Sequence, residues 1–138
     1  MTTPTAPVPD QDSAPYWQGL RHHRLVLQRC TACSRHRFPA MPSCPYCSSL
    51  VWVGEEVPGR GTIFSWIVVH HAFAAAFRSD VPYVIATVEL ECGPRLLGRF
   101  DGGDPDFGLP VVGTFVDHEE WTELRFVPDP SSTAPAAQ

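Results

Sequence analysis

A chain of 138 residues, 43% of them hydrophobic, has material for one modest core or two small subdomains sharing an interface, and not for a large independent active site. Its net charge of −5 includes ten basic residues, every one an arginine, so Schiff-base and lysine-base chemistry are excluded. No apolar stretch approaches the length of a bilayer span, and the N-terminus has neither a basic nor an apolar leader region, so a soluble cytoplasmic protein is expected.

Residues 1–14 and 128–138 are rich in Pro, Ala, Ser and Thr and poor in large apolar side chains, which predicts disordered tails. Ser13 then caps a short predicted helix that tolerates Pro15 in its first turn, places Tyr16, Trp17 and Leu20 at helical spacing, and ends near His23. A short strand, Leu25 to Leu27, leads into Cys30. Residues 15 to 49 contain five arginines (Arg21, Arg24, Arg29, Arg35 and Arg37) and no carboxylate, whereas residues 80 to 129 hold eleven carboxylates, so the two halves present different surfaces.

Cys30-x-x-Cys33 and Cys44-x-x-Cys47, ten residues apart, have the spacing of two knuckle turns that present four thiolates to one ion. A reducing cytosol disfavours the disulfide reading. All four ligands come from protein, leaving no position for a reacting water, so the metal is expected to be structural. Zinc is the default, and tetrathiolate geometry also suits iron.

From Gly61 onward, β-branched and aromatic runs alternate with turn residues, the pattern of a small antiparallel barrel. Strands are predicted over Thr62–His70, Tyr83–Leu90, Arg95–Phe100, Val111–Asp117 and Leu124–Val127, with a hairpin turn at Cys92-Gly93-Pro94. Gly98 inside a strand marks an expected bulge or corner. The loop from His71 to Asp80 has two readings: Phe73 and Phe77 plug one end of the barrel, or they form an exposed docking patch. Cys92 stands without a neighbouring base, His70 and His71 point to opposite faces of a strand and form no chelating pair, His22 and His23 sit at a helix end where a cation complements the dipole, and no nucleophile elbow, metalloprotease helix or phosphate loop occurs. The acidic barrel half also argues against a nucleic-acid groove.

The order Tyr16-Trp17-x-Gly19-Leu20, Leu25-x-Leu27-Gln28-x-Cys30-x-x-Cys33, Phe38-Pro39, Cys44-Pro45-x-Cys47, Gly59-Arg60-Gly61-Thr62, Pro82-Tyr83-Val84, Val88-Glu89-Leu90 and Arg95-Leu96-Leu97-Gly98 resembles the DUF35 family. The resemblance covers nearly all of residues 15 to 127. It implies a mainly β chain: an N-terminal helix and rubredoxin-like zinc ribbon over 15–57, then an OB-fold barrel over 58–127. It also implies a non-catalytic accessory subunit of a thiolase-superfamily enzyme (thiolase, acyltransferase or lipid-transfer-protein-type aldolase) acting on acyl-CoA thioesters, or a partner of a MaoC-type hydratase. The ligand set is then Cys30, Cys33, Cys44 and Cys47. Arg35, Arg37, Phe73, Phe77, Arg95 and Arg99 are the expected contacts for CoA or for the partner, since guanidinium forks suit phosphate and carboxylate oxygens. Ser34 and Ser48 stand where the family usually has glycine, at positions where a knuckle takes left-handed backbone.

Overall fold

The computed structural model describes residues 6–131, so residues 1–5 and 132–138 of the expected tails lie outside the described residues. Secondary structure and hydrogen bonding reach beyond 15–127 on both sides. Helix α1, Ala14–Arg21, carries Pro15 in its first turn. It is preceded by a turn in which the Asp10 amide donates to Ser13 Oγ (3.0 Å) and the Ser13 amide to Asp10 Oδ1 (2.7 Å). Ser13 therefore holds this turn together and does not cap the helix with its side chain. At the other end, the Asp129 amide donates to the Pro110 carbonyl (3.0 Å), and the Asp129 carboxylate lies 3.4 Å from Arg60.

Helix α1 closes with the His23 amide donating to the Leu20 carbonyl and the Arg24 amide to the Gly19 carbonyl, the Schellman pattern, with His23 in the left-handed position at φ 59°. The same residue fastens the helix to the barrel. Its Nε2 lies 2.9 Å from the Asp117 carboxylate, and its ring stacks on Phe115 at 5.0 Å. The Thr122 hydroxyl and His23 hold the Asp117 carboxyl below its usual range. Gly19 lets the helix lie on the strand that follows, because a Cβ there would come 2.7 Å from a Val26 methyl.

The ribbon is a three-stranded antiparallel sheet of β1 (Val26–Cys30), β2 (His36–Arg37) and β3 (Trp52–Glu56), with β1 in the middle. The barrel follows as β4 (Arg60–Val69), β5 (Tyr83–Leu90), β6 (Arg95–Phe100), β7 (Pro110–Asp117) and β8 (Thr122–Pro128). These close in the order β4-β5-β6-β8-β7, with β7 returning to β4 and only the β6–β8 pair parallel. This is a five-stranded OB-like barrel. Leu20, Leu25, Leu27 and Val57 from the ribbon half join Ile63, Val88, Leu96, Val111 and Phe126 of the barrel in one buried cluster, so the two halves share a core.

Gly98 keeps register opposite Ala86, so the bulge expected there is absent; the register shifts instead between Ile63 and Ser65 in β4. Glycine is needed at 98 for a different reason. A Cβ would lie 2.8 Å from the Phe126 ring, which fills the space under β6.

Candidate metal centre and exposed contact residues

Both cysteine pairs are presented by the same local geometry. In the first knuckle the Ser34 amide donates to the Cys30 carbonyl (2.8 Å) and the Cys30 amide to the Arg35 carbonyl (2.9 Å). In the second, the Ser48 amide donates to the Cys44 carbonyl and the Cys44 amide to the Ser49 carbonyl, each at 2.9 Å. Ser34 and Ser48 take left-handed backbone, φ 68° and 69°, as the knuckle requires. A non-glycine residue is strained there. Ser34→Gly and Ser48→Gly should each stabilise the ribbon by about 0.5–1 kcal/mol, because the relief of strain outweighs glycine's added unfolded-state freedom. A chelator titration followed by circular dichroism reads this as a later loss of structure; earlier loss would show that the serines are preferred.

The four sulfurs lie within 4.8 Å of one another, with Cys30–Cys47 at 3.6 Å and Cys33–Cys44 at 3.7 Å. Those separations are far too long for disulfides. They match the edge of a tetrahedron about 3.8 Å long, the value that follows from a Zn–S bond of about 2.3 Å. The amides of Cys33 and Ala32 lower the Cys30 thiol to about 6. The Ser49 amide pulls Cys47 the same way, yet the Cys30 thiol, burial, and then Cys44 and Cys33 outweigh it and push Cys47 up to about 11. Four such close thiols do not all ionise by themselves. A divalent cation supplies the missing charge, and the donor set fits one.

The ribbon arginines divide sharply. Arg37 is a correction: it is 2% exposed, its Nε donates to Gln28 Oε1 (2.7 Å) and its Nη2 to the Met41 carbonyl (3.1 Å). Strand β2 lays it against β1, so its head group is unavailable to CoA or to a partner. Arg29 and His36 both hold Glu55, each at 2.8 Å. Arg21 donates to the carbonyls of His118, Glu119 and Trp121, clasping the β7–β8 loop. Arg24 and Arg35 remain exposed, with Arg35 over the Tyr46 ring at 4.6 Å.

The loop between β4 and β5 combines both of its readings. Phe73 is 88% exposed with its ring roughly perpendicular to that of His71, whereas Phe77, in a 3₁₀ turn over Ala75–Phe77, is partly buried, its ring centre 6.4 Å from that of Tyr83. Phe73 does not plug the barrel. Arg95 stacks over Phe64 at 3.7 Å, and Arg99 stacks over Tyr83 at 4.4 Å while reaching Asp80 at 3.1 Å. Burial pushes the Cys92 thiol up, which opposes thiolate formation.

One feature was not legible in the sequence. Tyr16, Trp17, Ile85, Leu97, Arg99 and Trp121 line a recess of about 250 Å³ where β6 and β8 part beside α1. Trp17 and Trp121 meet edge to face at 6.1 Å. The aromatic residues are about 100 positions apart, so no local pattern announces them; a tryptophan in a hairpin loop between acidic residues was the sole signal.

A four-thiolate ribbon fused to an OB-like barrel defines a class of small two-part zinc-ribbon proteins. Residues 17–53 match the family described as "ChsH2, rubredoxin-like zinc ribbon domain" and residues 54–116 the one described as "ChsH2, C-terminal OB-fold domain". The chain belongs to this ChsH2-type DUF35 family. It is 40% identical over 133 residues to the 3-oxo-4,17-pregnadiene-20-carboxyl-CoA hydratase alpha subunit of Mycobacterium tuberculosis, a match covering 89% of this chain and 40% of that protein. The chain thus spans well under half the length of the curated hydratase alpha subunits it matches. A "DUF35 domain-containing scaffold protein" of Methanocaldococcus jannaschii is 32% identical over 104 residues, covering 72% of this chain and 73% of that protein. Among solved structures, a chain of the "Ltp2-ChsH2(DUF35) aldolase" superposes with a TM-score of 0.80 at 38% identity, covering 89% of this chain and 98% of that one. Among the described residues no helix is long and apolar enough to cross a membrane.

Proposed function

We propose that the chain is a non-catalytic, zinc-bearing accessory subunit that binds an acyl-CoA-processing enzyme in the cytoplasm and supports its action on the thioester. The observation that carries this reading is the match to nearly the whole of one chain in the aldolase complex, which makes the ribbon and barrel together the equivalent of that complex's DUF35 component. The thiolase superfamily, including lipid-transfer-protein-type aldolases, is the preferred partner class. A hydratase partner is the second reading, favoured by the names of two relatives.

Zinc, held by Cys30, Cys33, Cys44 and Cys47, supplies folding energy to a ribbon with little core of its own and takes no part in turnover. The side chains do the recognition. Arg24 and Arg35 offer guanidinium groups suited to the phosphates of CoA or to partner carboxylates, and Phe73 offers an apolar contact. The chain alone should give no turnover with acyl-CoA substrates. Adding it to a thiolase-superfamily or hydratase subunit that forms a complex with it should raise that enzyme's kcat/KM. Substantial turnover by the isolated chain, abolished by Cys92→Ala, would overturn the reading. Phe73→Ala should leave stability within about 0.5 kcal/mol of wild type, as for other exposed positions, while weakening complex formation.

A further inference from the structure

Between helix α1 and the ribbon sheet lies a small cavity lined by Tyr16, Val26, Phe38 and Trp52 together with Gln28 and Arg37. Its volume is about 10 Å³, room for one atom of the size of a water oxygen or a halide. Arg37 and Gln28 are 2% and 4% exposed, and each is only partly used. Of the five N–H donors of the guanidinium, Nε serves Gln28 Oε1 and Nη2 the Met41 carbonyl, while Nη1 has no acceptor among the described residues. Gln28 Oε1 accepts from Arg37 Nε at 2.7 Å and from the Met41 amide at 3.0 Å. That double acceptance fixes the orientation of the Gln28 amide and leaves Nε2 as a second buried donor without an acceptor. The charge of Arg37 is unpaired as well: no carboxylate of the described residues bridges to it, and Glu55 on β3 is taken by Arg29 and His36. A guanidinium so fully buried ordinarily has a counter-charge.

We propose that this cavity binds one small monovalent anion of halide size, chloride in practice, held by Arg37 Nη1 and Gln28 Nε2. A water molecule fits the volume but not the chemistry, since the unmet groups are donors only and a water brings no counter-charge. An anion supplies acceptor and charge together, and a hydrogen bond to a charged partner is the stronger kind. Size narrows the choice, because one atom fits and sulfate or phosphate does not. The apolar side chains around it keep water away, so the attraction to the guanidinium is screened less than at the surface. Asp12 lines the same cavity from the segment before α1 but takes no hydrogen bond from Arg37, whose engaged donors go to Gln28 and Met41. Its negative charge opposes a mobile anion, so removing that charge separates a bound halide from an internal ion pair. The anion would be a structural ligand of the ribbon beside the metal, drawing Gln28 of β1 and Arg37 of β2 together beneath α1. This site is independent of the accessory-subunit reading.

The test uses the full, zinc-loaded chain. Crystals grown in sodium bromide should show an anomalous bromide peak within hydrogen-bond reach of Arg37 Nη1. In solution, the chlorine NMR linewidth of added chloride should broaden with the protein, saturate, and be reversed by bromide but not by gluconate, which is too large for the cavity. Asp12→Asn should tighten chloride binding about threefold by removing a like charge. Arg37→Gln should weaken it about tenfold or more; if that variant does not fold, the bromide peak in the wild type decides. An ordered water without anomalous signal, an Asp12 carboxylate seated on Arg37, or bromide confined to the exposed Arg24 and Arg35 would each overturn the site. A bromide peak at Arg37 with no saturable binding in solution would mean binding at crystal concentration only, and would overturn it too.

Discussion

Cys44→Ser should abolish metal binding and unfold the ribbon while the barrel persists in a weakened form. Cys44 is 2% exposed and stands 3.7 Å from Cys33, so a serine oxygen there is both too short to complete the tetrahedron and a poorer donor for a soft site. Structural zinc contributes on the order of 10 kcal/mol of apparent folding free energy in isolated zinc-finger units. Strands β1, β2 and β3 have no comparable reserve, since Leu25, Leu27 and Val57 are the main aliphatic side chains they and their flanks give to the core. Because that core is shared, the barrel should also lose stability. Elemental analysis with circular dichroism decides: wild type should carry one zinc per chain, and Cys44→Ser none. Fully folded, reduced wild-type protein with essentially no metal would contradict the assignment.

Phe126→Ala should cost about 3–5 kcal/mol, the range for removing a fully buried aromatic side chain. Phe126 is 0% exposed, lies beneath Gly98, and sits where β8 makes its parallel pairing with β6 through Phe100. Gly98→Ala tests the same packing from the other side. The added methyl should cost about 1–3 kcal/mol, because the ring cannot retreat within a closed barrel. Denaturant midpoints at an unchanged m-value would report both effects. A loss below about 1 kcal/mol for Phe126→Ala would show that the barrel collapses onto the void without difficulty.

The parts of this molecule that were legible in its sequence are those governed by local spacing. The two knuckles announce themselves because each pair of ligands and its left-handed serine lie within five residues. Strands β5 and β6 fall at Tyr83–Leu90 and Arg95–Phe100 as read, because side-chain alternation and a Gly-Pro turn fix them locally. Strands β2 and β3 were missed: two residues are too few to show a period, and Trp-Val-Gly-Glu-Glu is held by pairing with β1 and not by its own pattern.

Where the reading failed, the deciding contact came from afar. Arg37 looked like a surface charge and is buried because Gln28, across the β1–β2 pair, supplies its acceptor. Gly98 looked like a bend and is instead the space for a ring on β8. Arg21 looked like part of a basic patch and is consumed by carbonyls about 100 residues later. The recess needs Trp17, Leu97 and Trp121 together, which the closed topology alone provides.

The most direct measurement is the rate of acyl-CoA turnover by a thiolase-superfamily enzyme subunit of the same organism, followed with and without this chain at saturating concentration. An accessory subunit predicts negligible turnover by the chain alone, a defined hetero-oligomer on mixing, and a higher enzyme rate. An enzyme rate unchanged by the wild-type chain, with no complex formed, would contradict it.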